Sequence, residues 1–492
     1  MPLDSNRLAS RVRELLRQGP APGGTRGDVR PIAPGSPGSP GDESPRELQY
    51  VPEEAVPVSP DAPSGCVIIE RHFDLDVAHG AERLAGYAGV IERCIPALAV
   101  LAADDRAAGS TGRERPSRLD FGGGSRALRD DRQRPGVPTG GPLLFFDLET
   151  TGLSGGAGTI AFLVGCGYFD AGGFHTRQYF LAGYEAEHEL LGHLAALTRE
   201  FGGLVTFNGR TFDVPLIDTR YHFHRLASPF EAMPHFDMLH PARRLWRRRG
   251  SETAPAGRTR AGRDRGTEPL PDSSSCALGA LEEALLGVSR VGDVPGSEIP
   301  ARYFHYLRSG DLEPLQAVFE HNRLDILSLA ALTALGMRIV DDGPDALRTS
   351  HEALAMGQLY AGLCRHDEAE ACFARAVALD GGSGKDGRPS AGGAFGAEAL
   401  RRLAIQRRRQ QRFDEAAEAW TGILDAGVRG SLAQEARCAL AIHHEHRRRD
   451  PETARTVAAR ALAAERDPAA IEAWRHRLSR LNRKLGLTGS KG

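Results

Sequence analysis

Residues 143–152 read Leu143-Leu144-Phe145-Phe146-Asp147-Leu148-Glu149-Thr150-Thr151-Gly152. A short apolar run closed by a turn signal predicts a buried strand. Side chains alternate across a strand, so Asp147 and Glu149 point to one face, a pleat apart. Two neighbouring carboxylates on a buried strand repel each other and resist desolvation. Such a pair is tolerated mainly when a cation sits between them. The plainer alternative is a strand that has ended, with both acids in solvent.

Downstream, a glycine-rich connection over 152–158 leads to two apolar runs, 160–169 and 174–181. They are split by Asp170-Ala171-Gly172-Gly173, a hairpin signal. Leucines at helical spacing follow over 187–201, and Gly203-Leu204-Val205-Thr206-Phe207 reads as another strand. Strand, hairpin, helix, strand and then mostly helices suit an α/β domain, a mixed sheet with helices on both faces. The last of these strands runs into Asn208-Gly209-Arg210-Thr211-Phe212-Asp213. Beyond it lie Phe236-Asp237, a basic helix over 242–249 carrying Trp246, and a polar insert at 250–272 expected to be a mobile loop. A helical region over 312–337 holds Asp325 within the apolar run Leu324-Asp325-Ile326-Leu327-Ser328-Leu329.

Upstream, residues 1–64 are expected to be disordered, with the pattern of a short helix at 4–18 and Pro, Gly and Ser enrichment from 19 onward. Residues 65–105 turn apolar again, with a strand-like Cys66-Val67-Ile68-Ile69-Glu70 and a helix-like run over 81–103. They form either an extension of the core or a small cap. A low-complexity linker, 106–141, separates them from the core domain at 142–342. From 343 to 485 the pattern changes to short helices. Gly357, Tyr360, Ala369, Phe373 and Ala376 fall at tetratricopeptide spacings, and Ala416, Trp420 and Ile423 repeat the second-helix pattern. Ala454, Ala458 and Ala461 do so more faintly, and a glycine-rich insert over 381–397 interrupts the period. The expectation is a C-terminal all-α, tetratricopeptide-like region; an unrelated helical bundle is the alternative.

A chain of 492 residues implies two or three domains. No apolar run approaches the roughly 20 residues of a membrane span, and the start has no signal core, so a cytoplasmic protein without membrane contact is expected. Seven scattered cysteines, none in a C-x-x-C pair, indicate neither a disulfide framework nor a zinc site. The net charge of −2 neither demands nor excludes nucleic acid. Lysine occurs only at 385, 484 and 491, so arginine clusters carry less weight here than usual.

Four acids stand at suggestive places: Asp147, Glu149, Asp213 and Asp325. Hard divalent cations want oxygen ligands, and two-metal sites share carboxylates between ions about 3.5–4 Å apart. That is the chemistry of phosphodiester hydrolysis, where charge builds up around phosphorus. Singly, Asp213 reads as a helix N-cap and Asp325 as a helical charge; an isolated carboxylate in the run around Asp325 would be costly.

The segments Phe146–Leu153 (FDLETTGL), N-x-x-x-F-D over 208–213 and the helix carrying Asp325 resemble the three exonuclease motifs of the DEDD superfamily. The match is closer to the bacterial YprB-like ribonuclease H-like group, through FDMLHPARRLWR, C-x-L-x-x-LE, DVPGSEIP, YFHYLRSGD and HNRLDILSL, over about residues 65–340. The resemblance implies a ribonuclease H-like fold and a 3′–5′ exonuclease hydrolysing nucleic acid with two divalent ions, Mg²⁺ or Mn²⁺. Asp147, Glu149, Asp213 and Asp325 would be metal ligands and catalytic residues. Superfamily members place Tyr four residues, or His five, before the last Asp. Here His321 sits four before Asp325, at the tyrosine spacing with histidine chemistry, and is taken as catalytic. The alternative is a histidine that only bonds a neighbour.

Thr150, Asn208 and Phe212 beside the acids, and Arg243, Arg244 and Trp246 on the basic helix, are candidates for nucleic-acid contact. Arginines there would track phosphates while Trp246 stacks a base; a plain solvated face is the alternative. Asp237 reads as a supporting group of the site or as a loop cap. The expected partner is a single-stranded or frayed 3′ end, with a protein partner for the helical repeats. A second class of function stays open, a nucleic-acid-binding scaffold on the same fold. DNA or RNA, and exo- or endonuclease action, are not distinguished by sequence.

Overall fold

The computed structural model describes residues 65–103, 136–152, 158–247, 276–290, 292–381 and 393–487. The expected disorder of 1–64, most of the low-complexity linker 106–141 and the expected loop 250–272 fall outside them. The described residues form two compact units, 65–102 with 136–341, and 342–487.

The first unit is built on a six-stranded sheet. Its strands are β1 (Cys66–Asp74), β2 (Leu143–Thr150), β3 (Ala161–Phe169), β4 (Gly173–Leu181), β5 (Gly203–Thr206) and β6 (His235–Asp237). Their spatial order is β1-β4-β3-β2-β5-β6. The β1/β4, β4/β3 and β3/β2 pairs are antiparallel, whereas β2/β5 and β5/β6 are parallel. The stretch 143–150 is thus the hinge of the sheet, where antiparallel pairing gives way to parallel. Residues 66–74 extend the sheet at the edge beyond β4. The sixth strand is only three residues long, too short to show a period in sequence.

Alternation along β2 divides the two faces. Leu144, Phe146 and Leu148 enter a core shared with Leu190, Leu191 and Leu194 of α3 (Glu187–Thr198) and Leu216, Ile217 and Tyr221 of α4 (Asp213–Phe223). Arg220 ties these two helices by donating from Nε to Glu187 Oε1 at 2.6 Å, a buried charge pair. The N-terminal helices α1 (Leu84–Arg93) and α2 (Ala97–Leu101) are broken from one another by Pro96, which forms the N-cap of the second. Both pack on α8 (Gln316–Asp341). Between them in sequence come α5 (Leu239–Leu245), α6 (Leu278–Leu281) and α7 (Ile299–Ser309); Tyr303 of α7 donates its hydroxyl proton to Leu181 O on β4 at 2.9 Å.

The other face of β2 carries Asp147 and Glu149, and α8 crosses it. Two glycines make that approach close. Gly165 pairs with Asp147 and Gly167 with Phe145 on β3. A Cβ on Gly165 would overlap Asn322 and Ile326 of α8, and one on Gly167 would overlap Ile326. The bare backbone at these two positions lets the helix settle on the sheet beside the acids.

The second unit is helical: α9 (Ser350–Gly362), α10 (His366–Leu379), α11 (Ala394–Arg409), α12 (Phe413–Asp425), α13 (Ser431–Ile442), α14 (Pro451–Ala464) and α15 (Pro468–Lys484). Successive helices pack on one another. Cys364, Gln411 and Arg449 each hold a left-handed backbone in a turn, with φ of 59°, 64° and 54°. Five residues after each comes a buried alanine, Ala369, Ala416 and Ala454. Among the described residues no helix is long and apolar enough to cross a membrane.

Candidate active site

Asp147 and Glu149 stand half-buried on β2, Asp213 starts α4, and Asp325 lies on α8, four residues beyond His321. The fold brings these four acids together. Burial first, and then the charges of Asp325, Glu149 and Asp213, push the Asp147 carboxyl well above its ordinary range. Burial, Asp325, Asp213 and Asp293 do the same to Glu149. Asp213 is pushed up to about 7 by burial and by Asp237.

The acids are held by neighbours, of which the sequence singles out Asp237 and His321 but not Asn322, Gln178 or Arg290. Asn322, fully buried on α8, donates from Nδ2 to Asp147 Oδ2 at 2.8 Å. Its Oδ1 accepts in turn from Gln178 Nε2 on β4 at 2.8 Å, and the same Nε2 donates to Phe319 O. That chain fixes the orientation of Asp147. Asp237, at the end of β6, accepts from the backbone N–H of Asn208 (2.8 Å) and Leu239 (3.1 Å) on Oδ1 and from Arg210 N (3.0 Å) on Oδ2. It caps the loop in which Asn208 takes a φ of 67° and which delivers Asp213 to α4. The loop-cap alternative for Asp237 is therefore what its hydrogen bonds describe.

Asp325 has a cationic neighbour. Arg290 Nη2 lies 2.6 Å from Asp325 Oδ1 and 2.7 Å from Glu282 Oε2, and Nη1 is 3.4 Å from Asp293 Oδ2. Although burial works against it, the charges of Asp325 and Glu282 hold the guanidinium more firmly protonated than usual. His321 bonds Asp293 Oδ1 through Nδ1 at 2.6 Å, and its Nε2 faces Asp325 Oδ2 at 3.6 Å and Glu149 Oε1 at 4.0 Å. Burial alone would raise Asp293, but the His321 hydrogen bond and charge and the Arg290 charge outweigh it and leave Asp293 below its ordinary value. Arg290 and Asp293 come from an irregular connection between α6 and α7. In the sequence the family motif DVPGSEIP marks Asp293, but it says nothing of where the side chains of Arg290 and Asp293 go.

The donor set suits a hard divalent cation: every group is a carboxylate, three of them are pushed upward by burial first, and Asp147 and Glu149 also by the charges of Asp325 and Asp213. As the side chains stand, no three His, Cys, Asp or Glu groups among the described residues are disposed to hold one ion.

The candidates for nucleic-acid contact separate. Asn208 and Arg243 are exposed and line, with Phe207, Leu239, Arg247 and Cys276, a cleft of about 570 Å³. Phe212 is half-buried and directly precedes Asp213. Thr150 is buried and donates its hydroxyl to Gly152 O at 2.9 Å, shaping the turn after β2. Arg244 is half-buried. Trp246 overturns the expectation placed on it: it is 5% exposed, so its ring is not available to stack a base. The helix ends at Leu245, and Leu239, Ala242, Leu245 and Trp246 recur at helical spacing as its buried face, with Arg243 and Arg247 on the opposite one.

Residues 144–335 match the model of the RNase_H superfamily. Over 359 residues the chain is 30% identical to the uncharacterized protein YprB of Bacillus subtilis (strain 168), an alignment covering 70% of this chain and 75% of that protein. Nucleases of the superfamily generally use divalent metals, and membership supports a nuclease-type function and nucleic-acid binding. With its mixed sheet, its acids at the junction of parallel and antiparallel pairing, and this similarity, the chain belongs to the YprB-like group of the RNase H superfamily.

Proposed function

We propose that the protein is a metal-dependent 3′–5′ exonuclease of the DEDD type, hydrolysing phosphodiester bonds at single-stranded or frayed ends. The observation that carries this reading is the meeting of Asp147, Glu149, Asp213 and Asp325, from one strand and two helices, within range of one another's charge. In it these four carboxylates hold two Mg²⁺ or Mn²⁺ ions. When bound, the ions supply activation of water and neutralisation of charge at phosphorus.

The remaining steps belong to the chain's own side chains. A deprotonated Asp293 can only accept, so Nδ1 of a neutral His321 carries the proton it shares with Asp293 and Nε2 keeps a free lone pair. Nε2 faces Glu149 and Asp325 and is placed to orient the attacking water and take its proton. The Gln178–Asn322 chain keeps Asp147 turned toward its partners. Arg243 and Arg247 on the cleft that includes Asn208 offer guanidinium forks to the phosphates of the strand.

The Arg290–Asp325 ion pair supports a second reading, a nucleic-acid-binding scaffold on the same fold, since it neutralises one of the four acids without any metal. End-labelled DNA and RNA strands incubated with the purified protein in Mg²⁺, Mn²⁺ or EDTA separate the two. A metal-dependent ladder shortening from the 3′ end is expected. Binding with no cleavage under any metal would leave the scaffold.

A further inference from the structure

Two neighbouring turns of the helical unit carry arginine triplets. Arg407-Arg408-Arg409 ends α11, with Arg412 just beyond, and Arg447-Arg448-Arg449 follows α13. The turns touch: the Arg447 guanidinium lies over the Phe413 ring, 3.8 Å from its centre, and Arg448 Nε is 2.9 Å from Asp414 Oδ1. Between them lies a cleft of about 430 Å³, lined by Arg412, Phe413, Asp414, Arg447 and Arg448 among others.

Internal ion pairs use up only part of this charge. Arg407 is bonded to Glu370, Arg412 to Glu370 and Glu415, and Asp414 takes Arg448 and His443. Arg408, Arg447 and Arg449 are exposed, with no carboxylate in ion-pair distance among the described residues. The chain's preference for arginine over lysine does not account for the excess. Residues 343–492 hold 25 Lys and Arg against 19 Asp and Glu, whereas the remainder holds 37 against 45. A codon preference spreads over a whole sequence; a reversal of sign between its parts points to a polyanionic partner.

We infer that the paired arginine turns form a second, sequence-independent binding site for the phosphate backbone of single-stranded nucleic acid. The choice of nucleic acid over an acidic protein rests on the nuclease reading above. Guanidinium forks match phosphate oxygens two at a time, and Phe413 holds the Arg447 plane so that its N–H edges stay available. Arg408 and Arg449 add two exposed guanidiniums in the same two turns with no carboxylate partner among the described residues to give up. A site of this kind retains a strand by releasing its condensed counterions and makes no demand on base identity.

The test uses the full chain in EDTA and a long fluorescent single strand, with anisotropy measured across a salt series. Arg408→Gln, Arg447→Gln and Arg449→Gln are combined; Gln411 already adopts in the adjacent turn the backbone that Arg449 needs. Three lost phosphate contacts should flatten the log–log salt dependence by about 2 and weaken low-salt binding at least about tenfold. Metal-dependent cleavage of a short oligonucleotide should persist. A triple Arg→Glu variant, checked by circular dichroism, should bind more weakly still. An unchanged salt slope in both variants, with wild-type binding intact, overturns this site and leaves the nuclease reading standing. A wild-type chain that binds no strand at all overturns both. Polyglutamate of matched charge displacing the strand equally well would assign the turns to acidic proteins and overturn the assignment to nucleic acid.

Discussion

Arg290 Nη2 sits 2.6 Å from Asp325 Oδ1, with both side chains largely shielded from water, at 9% and 17% exposure. The pair puts a fixed positive charge at the edge of a cluster of acids that would otherwise face one another uncompensated. Removing one member of a shielded pair strands the other, at a cost of about 3 kcal/mol. Arg290→Gln should therefore lower stability in EDTA by that order, since Glu282 loses the same guanidinium. Saturating Mn²⁺ should restore part of the loss, because a cation can replace the charge by mass action. Arg290→Lys should fall between. Melting curves in EDTA and in Mn²⁺ check this; identical curves for wild type and Arg290→Gln would mean that the pair contributes nothing.

The upward shifts of Asp147, Glu149 and Asp213 give the metal-free protein a definite pH dependence. An acid whose folded value lies above its unfolded one keeps its proton longer in the native state. Between the two values the folded chain binds more protons, so stability falls as pH rises. For Asp213 the window runs from the ordinary 3.8 to about 7, and Asp147 and Glu149 act in the same direction. The stabilisation gained from Mg²⁺ or Mn²⁺ should accordingly grow from pH 5 to pH 8. Tm measured with and without metal across that range tests it, and a metal effect independent of pH would contradict the clustering of charge.

His321 and Asp293 should act as a unit. His321→Ala is expected to lower kcat by about 10²–10⁴-fold, the usual span for a positioned proton acceptor, while calorimetric Mn²⁺ binding stays nearly unchanged. Asp293→Asn should lower kcat less, with KM held, because the imidazole loses its fixed acceptor but keeps its place on α8. His321→Tyr should recover some activity by orienting water, with an altered acid limb in the pH–rate profile. Wild-type kcat and profile in His321→Ala would assign the residue to structure alone.

What the sequence revealed and what it hid follow from the range of the interactions. The run 143–152 was legible because a buried strand and two same-face carboxylates are local patterns, and the family motifs brought in Asp213 and Asp325. The surroundings were not legible, because each depends on contacts far along the chain: Asn322 reaches Asp147 across 175 residues and Gln178 across 144. Gly165 and Gly167 sat unremarked inside an apolar run, although their missing side chains let α8 approach. At Trp246 the flanking arginines suggest a solvent-facing ring, whereas the spacing of Leu239, Ala242 and Leu245 turns it inward.

Asn322 gives the sharpest contrast between a structural and an electrostatic role. It is fully buried, and its amide both donates to Asp147 and accepts from Gln178. Asn322→Leu removes both bonds in a similar volume: Asp147 loses its amide donor and Gln178 keeps only Phe319 O, at about 1–3 kcal/mol for each bond lost. No cation can repair the Gln178 side of that loss, so Mn²⁺ should recover little. Asn322→Asp keeps the shape and the acceptor for Gln178 but turns a donor toward Asp147 into another negative charge. In EDTA it should be destabilised by a comparable amount, and the deficit should widen as pH rises through the window set by the neighbouring acids. Divalent metal should then rescue it far more than it rescues Asn322→Leu, because the added charge is one that a cation satisfies. Chemical denaturation of the two variants with and without Mn²⁺ makes the comparison. Equal rescue of both, or of neither, would show that the field of the acids does not reach Asn322 and that its bond to Asp147 serves packing alone.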